Sequence, residues 1–395
     1  MTLLYITRDE NYDNEIIALL EERGIRVKQS PSSLLTEFFS PDQNNRQEEA
    51  SKAEINKVKM KKAEIESFLE RDTDSSVDIV FTLNFIREIS DWCESRQLPY
   101  ACWVIRLPNY DLYTSSVYNS CNYIGLCDSY LVEKLLKEGV RKVFLLPVAA
   151  AGEIEMPKPY KEREFCYIAD RTVKTMNYRE VSLYSKGYLE AFLHVQRVLP
   201  GESILENGLL NRVYRELLVN NGIPESILPA MEKLFFADYY LNPECMHLTE
   251  NIFLQNNGNL MTIYSQGDFP MCNAVVRPSV KDKGIRKQIY ADKEFSLVLT
   301  PYTIHRGMDQ RVLQVIAAGG FPVCSYRKDY DIFFEKDKNL AYFKSREEFA
   351  EILTRYGNDR KERDRLMEEA YDHVRQNHTF KNRIDTMLHF WEKLS

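Results

Sequence analysis

Apolar positions along the chain follow two rhythms. In 3–7 (LLYIT), 77–83 (VDIVFTL), 100–107 (YACWVIRL), 123–127 (YIGLC) and 142–148 (KVFLLPV) nearly every residue is apolar, which predicts short strands buried on both faces. Between them the apolar spacing lengthens to three and four residues. Segments 13–24 (DNEIIALLEERG), 85–96 and 129–138 therefore read as helices, the first and last stopped by a glycine, and IRVKQ returns as a strand after the first. Strands that alternate with helices and are apolar on both sides make a parallel sheet covered on both faces.

The rhythm breaks twice. Residues 41–75 are highly charged and poor in core residues, and read as a loop plus a solvated helix inserted in the first sheet unit; glutamates interleave with Lys57, Lys59, Lys61 and Lys62, against a basic ligand face. Residues 149–164 (AAAGEIEMPKPYKERE) carry charges, prolines and a glycine without any period, as an interdomain linker does. FCYIAD (165–170) then opens a new strand, 180–240 reads as helical, and strands resume at 259–265, 273–278, 295–301, 321–326 and 339–343 before a helical tail from 345. The expected fold class is α/β: two Rossmann-like, doubly wound domains facing a central cleft. The expected parts are an N-terminal domain over 1–150, a C-terminal domain over 151–375 and a terminal helix over 376–395 that packs back on the first domain.

Composition narrows the function classes. A chain of 395 residues with 44% hydrophobic content is long enough for two full cores. A net charge of −7 argues against a general nucleic-acid binder. Eight cysteines without a C-x-x-C pair read as small core side chains in a reducing cytosol, not as disulfides or a zinc site. The N-terminus lacks a basic start followed by an apolar stretch, and no run reaches the ~18 apolar residues of a membrane span. A cytoplasmic protein without a membrane span is expected. G-x-G-x-x-G and G-x-x-x-x-G-K-[ST] are both missing, which removes the main support for dinucleotide or P-loop chemistry.

Candidate chemistry concentrates in 300–324 (TPYTIHRGMDQRVLQVIAAGGFPVC), a strand end, a loop and the start of a buried helix. A helix N-terminus near Gly307, Met308 and Asp309 suits an anion, and Arg306 and Arg311 can give forked, charge-assisted hydrogen bonds to a diphosphate. Gln314 lies one helical turn from Arg311, within reach of a ribose hydroxyl. His305 is either a donor to phosphate or sugar or a structural histidine. The other reading of the whole segment is a solvated arginine and a tight helix end.

From Gly307 onward the sequence resembles the CgeB-like spore-maturation glycosyltransferases, relatives of the large group-1 class. The resemblance is carried by Gly307, Arg311, Gly319 and Gly320, by Phe333, Phe334 and Glu335, by YFKSREEF, and by His378, Thr379, Phe380 and Arg383. FTLNFI and CWVIRLP extend it weakly into the first domain. It implies a two-domain GT-B glycosyltransferase, possessed of no cofactor or metal, that takes a nucleotide-sugar donor, UDP-linked, and a glycan or protein acceptor of surface, spore or flagellin type. Two departures stand out: Gln314 occupies the position that is acidic in such chains, and Arg306 stands where a glutamate is expected eight residues earlier. Arg106 likewise replaces an expected acidic residue.

Outside this block, Asp111 follows a strand end of the first domain. It is either a base for an acceptor hydroxyl in an inverting reaction, with Arg106 as its catalytic neighbour, or a substrate-positioning or turn-capping group. Arg8 and Asp9 can touch the acceptor or cap a helix. Arg171, after CYIAD, sits at the matching strand end of the second domain and can contact phosphate. The rival readings are a non-catalytic nucleotide- or sugar-binding protein and an interaction scaffold on the same fold.

Overall fold

The computed structural model describes residues 1–7, 12–30, 76–169, 261–266 and 274–394, with single positions at 67, 69, 70, 73, 246, 250, 253, 254 and 269. Most of the 41–75 insertion, the 180–240 stretch, Arg8, Asp9 and Arg171 lie outside these residues. The chain divides into two compact units, Met1–Cys127 with Val132–Leu146 and Arg383–Ser395, and Asp128–Leu131 with Pro147–Asn382.

The first unit contains β1 (Thr2–Ile6), α1 (Asp13–Glu22), β2 (Arg26–Gln29), β3 (Ile79–Leu83), α2 (Arg87–Arg96), β4 (Tyr100–Val104), β5 (Asn122–Leu126), most of α3 (Ser129–Lys137) and β6 (Val143–Leu145). Its six-stranded sheet is parallel in the order β2-β1-β3-β4-β5-β6. Every residue of β3, β4 and β5 is buried, as the unbroken apolar runs require. Helix α1 turns Ile16 and Leu20 to the core, and its buried Asp13 accepts the Tyr5 hydroxyl at 2.7 Å.

The second unit contains β7 (Glu162–Ile168), β8 (Met261–Tyr264), β9 (Val275–Arg277), α4 (Lys283–Asp292), β10 (Lys293–Val298), α5 (Gln310–Ala317), β11 (Pro322–Ser325), α6 (Tyr330–Phe333), β12 (Ala341–Phe343), α7 (Arg346–Asn358) and α8 (Arg360–Asn377). Its sheet is again parallel and six-stranded, in the order β12-β11-β10-β7-β8-β9. Strand order reverses between β7 and β10, the point where open α/β sheets take ligands at their carboxyl ends. Phe165, Phe295, Phe321 and Phe349 build an edge-to-face aromatic core under this sheet.

Two local features depart from the sequence reading. Helix α4 is real although its apolar pattern is thin; Asp282 caps it by accepting the Ile285 N–H at 2.8 Å. Part of the supposed linker is docked: Glu155 N–H donates to Ala317 O at 2.9 Å, and Lys287 pairs with Glu155 at 2.9 Å. The glycines ending α5 make this possible. Gly319 has φ +74° and lies against Met156 and Pro157, while a Cβ on Gly320 would fall 2.4 Å from the Tyr290 carbonyl oxygen.

The last helix, α9 (Phe380–Leu394), belongs to the first unit from Arg383 onward. Ile384, Met387 and Trp391 are buried at helical spacing. Trp391 lies 6.1 Å from the Phe81 ring, Phe390 stacks on Phe144 at 3.8 Å, and Arg23 pairs with Asp385 at 2.5 Å.

Candidate functional site

The carboxyl end of β10 leads into the loop 299–309, and the fold places His305, Arg306, Gly307, Met308, Arg311 and Gln314 together there and on α5. Asp309 is the N-cap of α5: its side chain accepts the Arg311 N–H at 2.9 Å. The Arg311 guanidinium folds back onto the same carboxylate at 2.6 Å and donates to Leu299 O at 2.7 Å. Met308 is buried under the loop and His305 packs its ring 4.6 Å from Tyr130. Arg306 is half-buried, with its guanidinium carbon 5.4 Å from the Tyr130 centroid. Gln314 is half-buried one turn along.

Of the amides at 307–309 expected to be open to an anion, that of Gly307 already has one, together with those of His305 and Arg306. Asp128, which is wholly buried, places one carboxylate oxygen at 2.8 Å from His305 N, 2.9 Å from Arg306 N and 2.9 Å from Gly307 N. Its other oxygen accepts the Tyr130 N–H at 3.0 Å. Sequence inspection did not single out Asp128, because it lies 177 positions from His305 in the unremarkable context LCDSY.

The loop after β11 completes the setting. Arg327 is buried and donates to Thr300 O at 2.9 Å, Ile304 O at 3.0 Å, Tyr326 O at 3.0 Å and Pro301 O at 3.2 Å. Burial draws its pKa below the usual arginine value. Asp329 is also buried, donates its own N–H to Arg306 O at 2.9 Å and accepts both the N–H and the hydroxyl of Ser129. Burial raises its carboxyl above the ordinary aspartate value. Asp329, Tyr330 and Asp331 form a D-x-D triplet that the sequence reading passed over, and its two carboxylates serve different partners. Asp331 accepts the hydroxyls of Tyr326 at 2.6 Å and Tyr342 at 2.7 Å. Among the described residues no group of three or more His, Cys, Asp or Glu is arranged to hold a metal ion.

In the first unit the segment after β4 carries both Arg106 and Asp111. Asn84 closes β3 with φ 66° and accepts Ile105 N at 3.0 Å and Arg106 N at 2.9 Å, which leaves the Arg106 side chain exposed. Asp111 is half-buried and accepts the first N–H of α2, Arg87 N, at 3.3 Å. The structure thus gives Asp111 a capping contact, since Ile86 at the N-cap of α2 has no side-chain acceptor.

Residues 264–389 match the family model described as glycosyl transferase-like. No curated protein sequence matches significantly. Solved structures similar to this chain include the sucrose-phosphate synthase of Thermosynechococcus elongatus, at 9% identity and TM-score 0.51, covering 100% of this chain and 99% of that one. The Anabaena protein HepE, solved with UDP and glucose, aligns at 7% identity and TM-score 0.51 over 100% of both chains. A UDP-forming α,α-trehalose-phosphate synthase from Burkholderia xenovorans aligns at 12% identity and TM-score 0.51 over 98% of both. Among the described residues no helix is long and apolar enough to cross a membrane. The chain therefore has the α/β fold of the GT-B glycosyltransferases, and within it residues 264–389 resemble the glycosyl transferase-like family.

Proposed function

We propose that the protein transfers a hexosyl group from a UDP-sugar to a protein or glycan acceptor in the cytoplasm, as the CgeB-like resemblance implies, and that it does so without a divalent metal. The observation that carries this reading is the half-buried Arg306 at the carboxyl end of β10, beside the switch point, inside the glycosyl transferase-like domain. A guanidinium there neutralises the charge that develops on a departing nucleoside diphosphate, the work a metal ion does elsewhere. The N-terminus of α5 adds its dipole, Arg311 stands beside it with its charge paired to Asp309, and Gln314 reaches a ribose hydroxyl one turn on. His305 and Met308, both buried in the same loop, shape the floor. In the first unit Asp111 deprotonates the acceptor hydroxyl if the reaction inverts, and with Arg106 only positions it if the reaction retains. HepE holds UDP and the trehalose-phosphate synthase is UDP-forming, which supports the choice of nucleotide.

Titration calorimetry with UDP, with and without EDTA, tests the reading. Wild type binds, and Arg306→Ala weakens binding by about 1.5–3 kcal/mol, the range for hydrogen bonds to a charged group. Unchanged affinity in the variant removes Arg306 from the site. Affinity lost on chelation and restored by magnesium or manganese overturns the metal-free part.

A second reading, a nucleotide- or sugar-binding protein without turnover, is favoured by two details: Asp111 is engaged as a helix cap, and Gln314 offers an amide where related chains have an acid. Hydrolysis of a UDP-sugar followed over hours separates the two, because binding without any release of sugar supports this second reading.

A further inference from the structure

We propose that Asp128 is a positioning residue for the donor: it fixes the main chain of His305–Gly307 and of Tyr130, and so aims the Arg306 guanidinium at the diphosphate. The inference rests on the UDP-sugar reading above.

Three consecutive amides converging on one point make the concave nest that usually receives an anion. Here the chain supplies its own, since one Asp128 oxygen takes all three N–H groups at 2.8–2.9 Å and has no exposure to solvent. A phosphate oxygen cannot share that place. The nest is therefore a support, and the Arg306 side chain is the group that reaches the ligand. The same carboxylate holds Tyr130 N at 3.0 Å, and Tyr130 is the ring over which the Arg306 guanidinium lies at 5.4 Å. One residue thus determines both the backbone that carries the cation and the surface it rests on.

The opposite side of the loop is held as firmly. Arg327 takes the carbonyls of Thr300, Pro301 and Ile304, and Asp329 N–H takes that of Arg306 itself. Burying ionisable side chains against main chain costs desolvation energy that an ordinary surface loop does not incur. Such an outlay suits a loop whose shape must be set before its ligand arrives.

The test is a double-mutant cycle on UDP affinity, using wild type, Asp128→Asn, Arg306→Ala and the double variant, with melting temperature followed in each. Asparagine keeps the shape and one acceptor oxygen but removes the charge. Asp128→Asn is expected to weaken UDP binding about tenfold in wild type and less than about twofold when Arg306 is already alanine. Equal losses on both backgrounds, or no loss with a folded protein, overturn the proposal and leave Asp128 a purely structural residue. If Asp128→Asn does not fold, Tyr130→Ala, which removes the ring and keeps the carboxylate, enters the cycle with the same expected coupling. Wild type that fails to bind UDP refutes the donor reading itself, and the proposal falls with it.

Discussion

Gly320 shows how little room a single position can leave. Its added Cβ would meet the backbone oxygen of Tyr290 at 2.4 Å, and a carbonyl at the end of a helix cannot swing aside as a side chain can. Gly320→Ala is therefore expected to destabilise the second unit by about 2–4 kcal/mol, at the upper end of what overpacking costs, read as a lowered urea midpoint. Wild-type stability in this variant would mean that α4 and the end of α5 are not packed as described. The glycine pair was legible in the sequence as a tight helix end, but its partner was not. Nothing in the composition of 149–164 says that Met156 and Pro157 lie against Gly319, because prolines and charges signal irregular backbone without saying what it touches.

At the scale of elements, the strands were the easiest to read, since β3, β4 and β5 are apolar on both faces and nothing else makes such short unbroken runs. Helix α4 escaped because its pattern is sparse: Ile285 is exposed, and Tyr290 is its one buried residue. Helix α5 was legible, but the cap at Asp309 and its double use were not. The carboxylate both terminates the helix and holds the Arg311 guanidinium at 2.6 Å. Asp309→Ala should cost about 1–3 kcal/mol, more than a cap alone, because a largely buried arginine loses its counter-charge. Asp309→Asn, which keeps the cap and drops the charge, should fall between the two in chemical denaturation. If both variants match wild type, neither contact contributes to stability. The Asp128 contact was beyond sequence reasoning altogether. Periodicity reports on neighbours within one element, and this contact joins the start of α3 to a loop far along the chain.

For the whole molecule, the units are not contiguous in the chain. The first unit includes Arg383–Ser395, far along the chain from the rest of it, which brings Ile384, Met387 and Trp391 into its core. A chain ending at Asn382 would leave Phe81 without Trp391, Phe144 without Phe390 and Arg23 without Asp385. We expect such a truncation to destabilise the first unit by at least about 3–5 kcal/mol, the cost of losing one buried tryptophan. Limited proteolysis should then cut within Met1–Leu146 before it cuts within 261–382. An unchanged cleavage pattern would show that the terminal helix is dispensable.

The carboxylate seated on the amides of residues 305–307 also bears on the entropy of recognition. A loop that is ordered by its ligand subtracts the loss of its own freedom from the affinity it gains. Here Asp128 has imposed that order already, at the moment of folding. The unfavourable entropy is charged once, against the stability of the protein, and would not be charged again on binding of the proposed nucleotide.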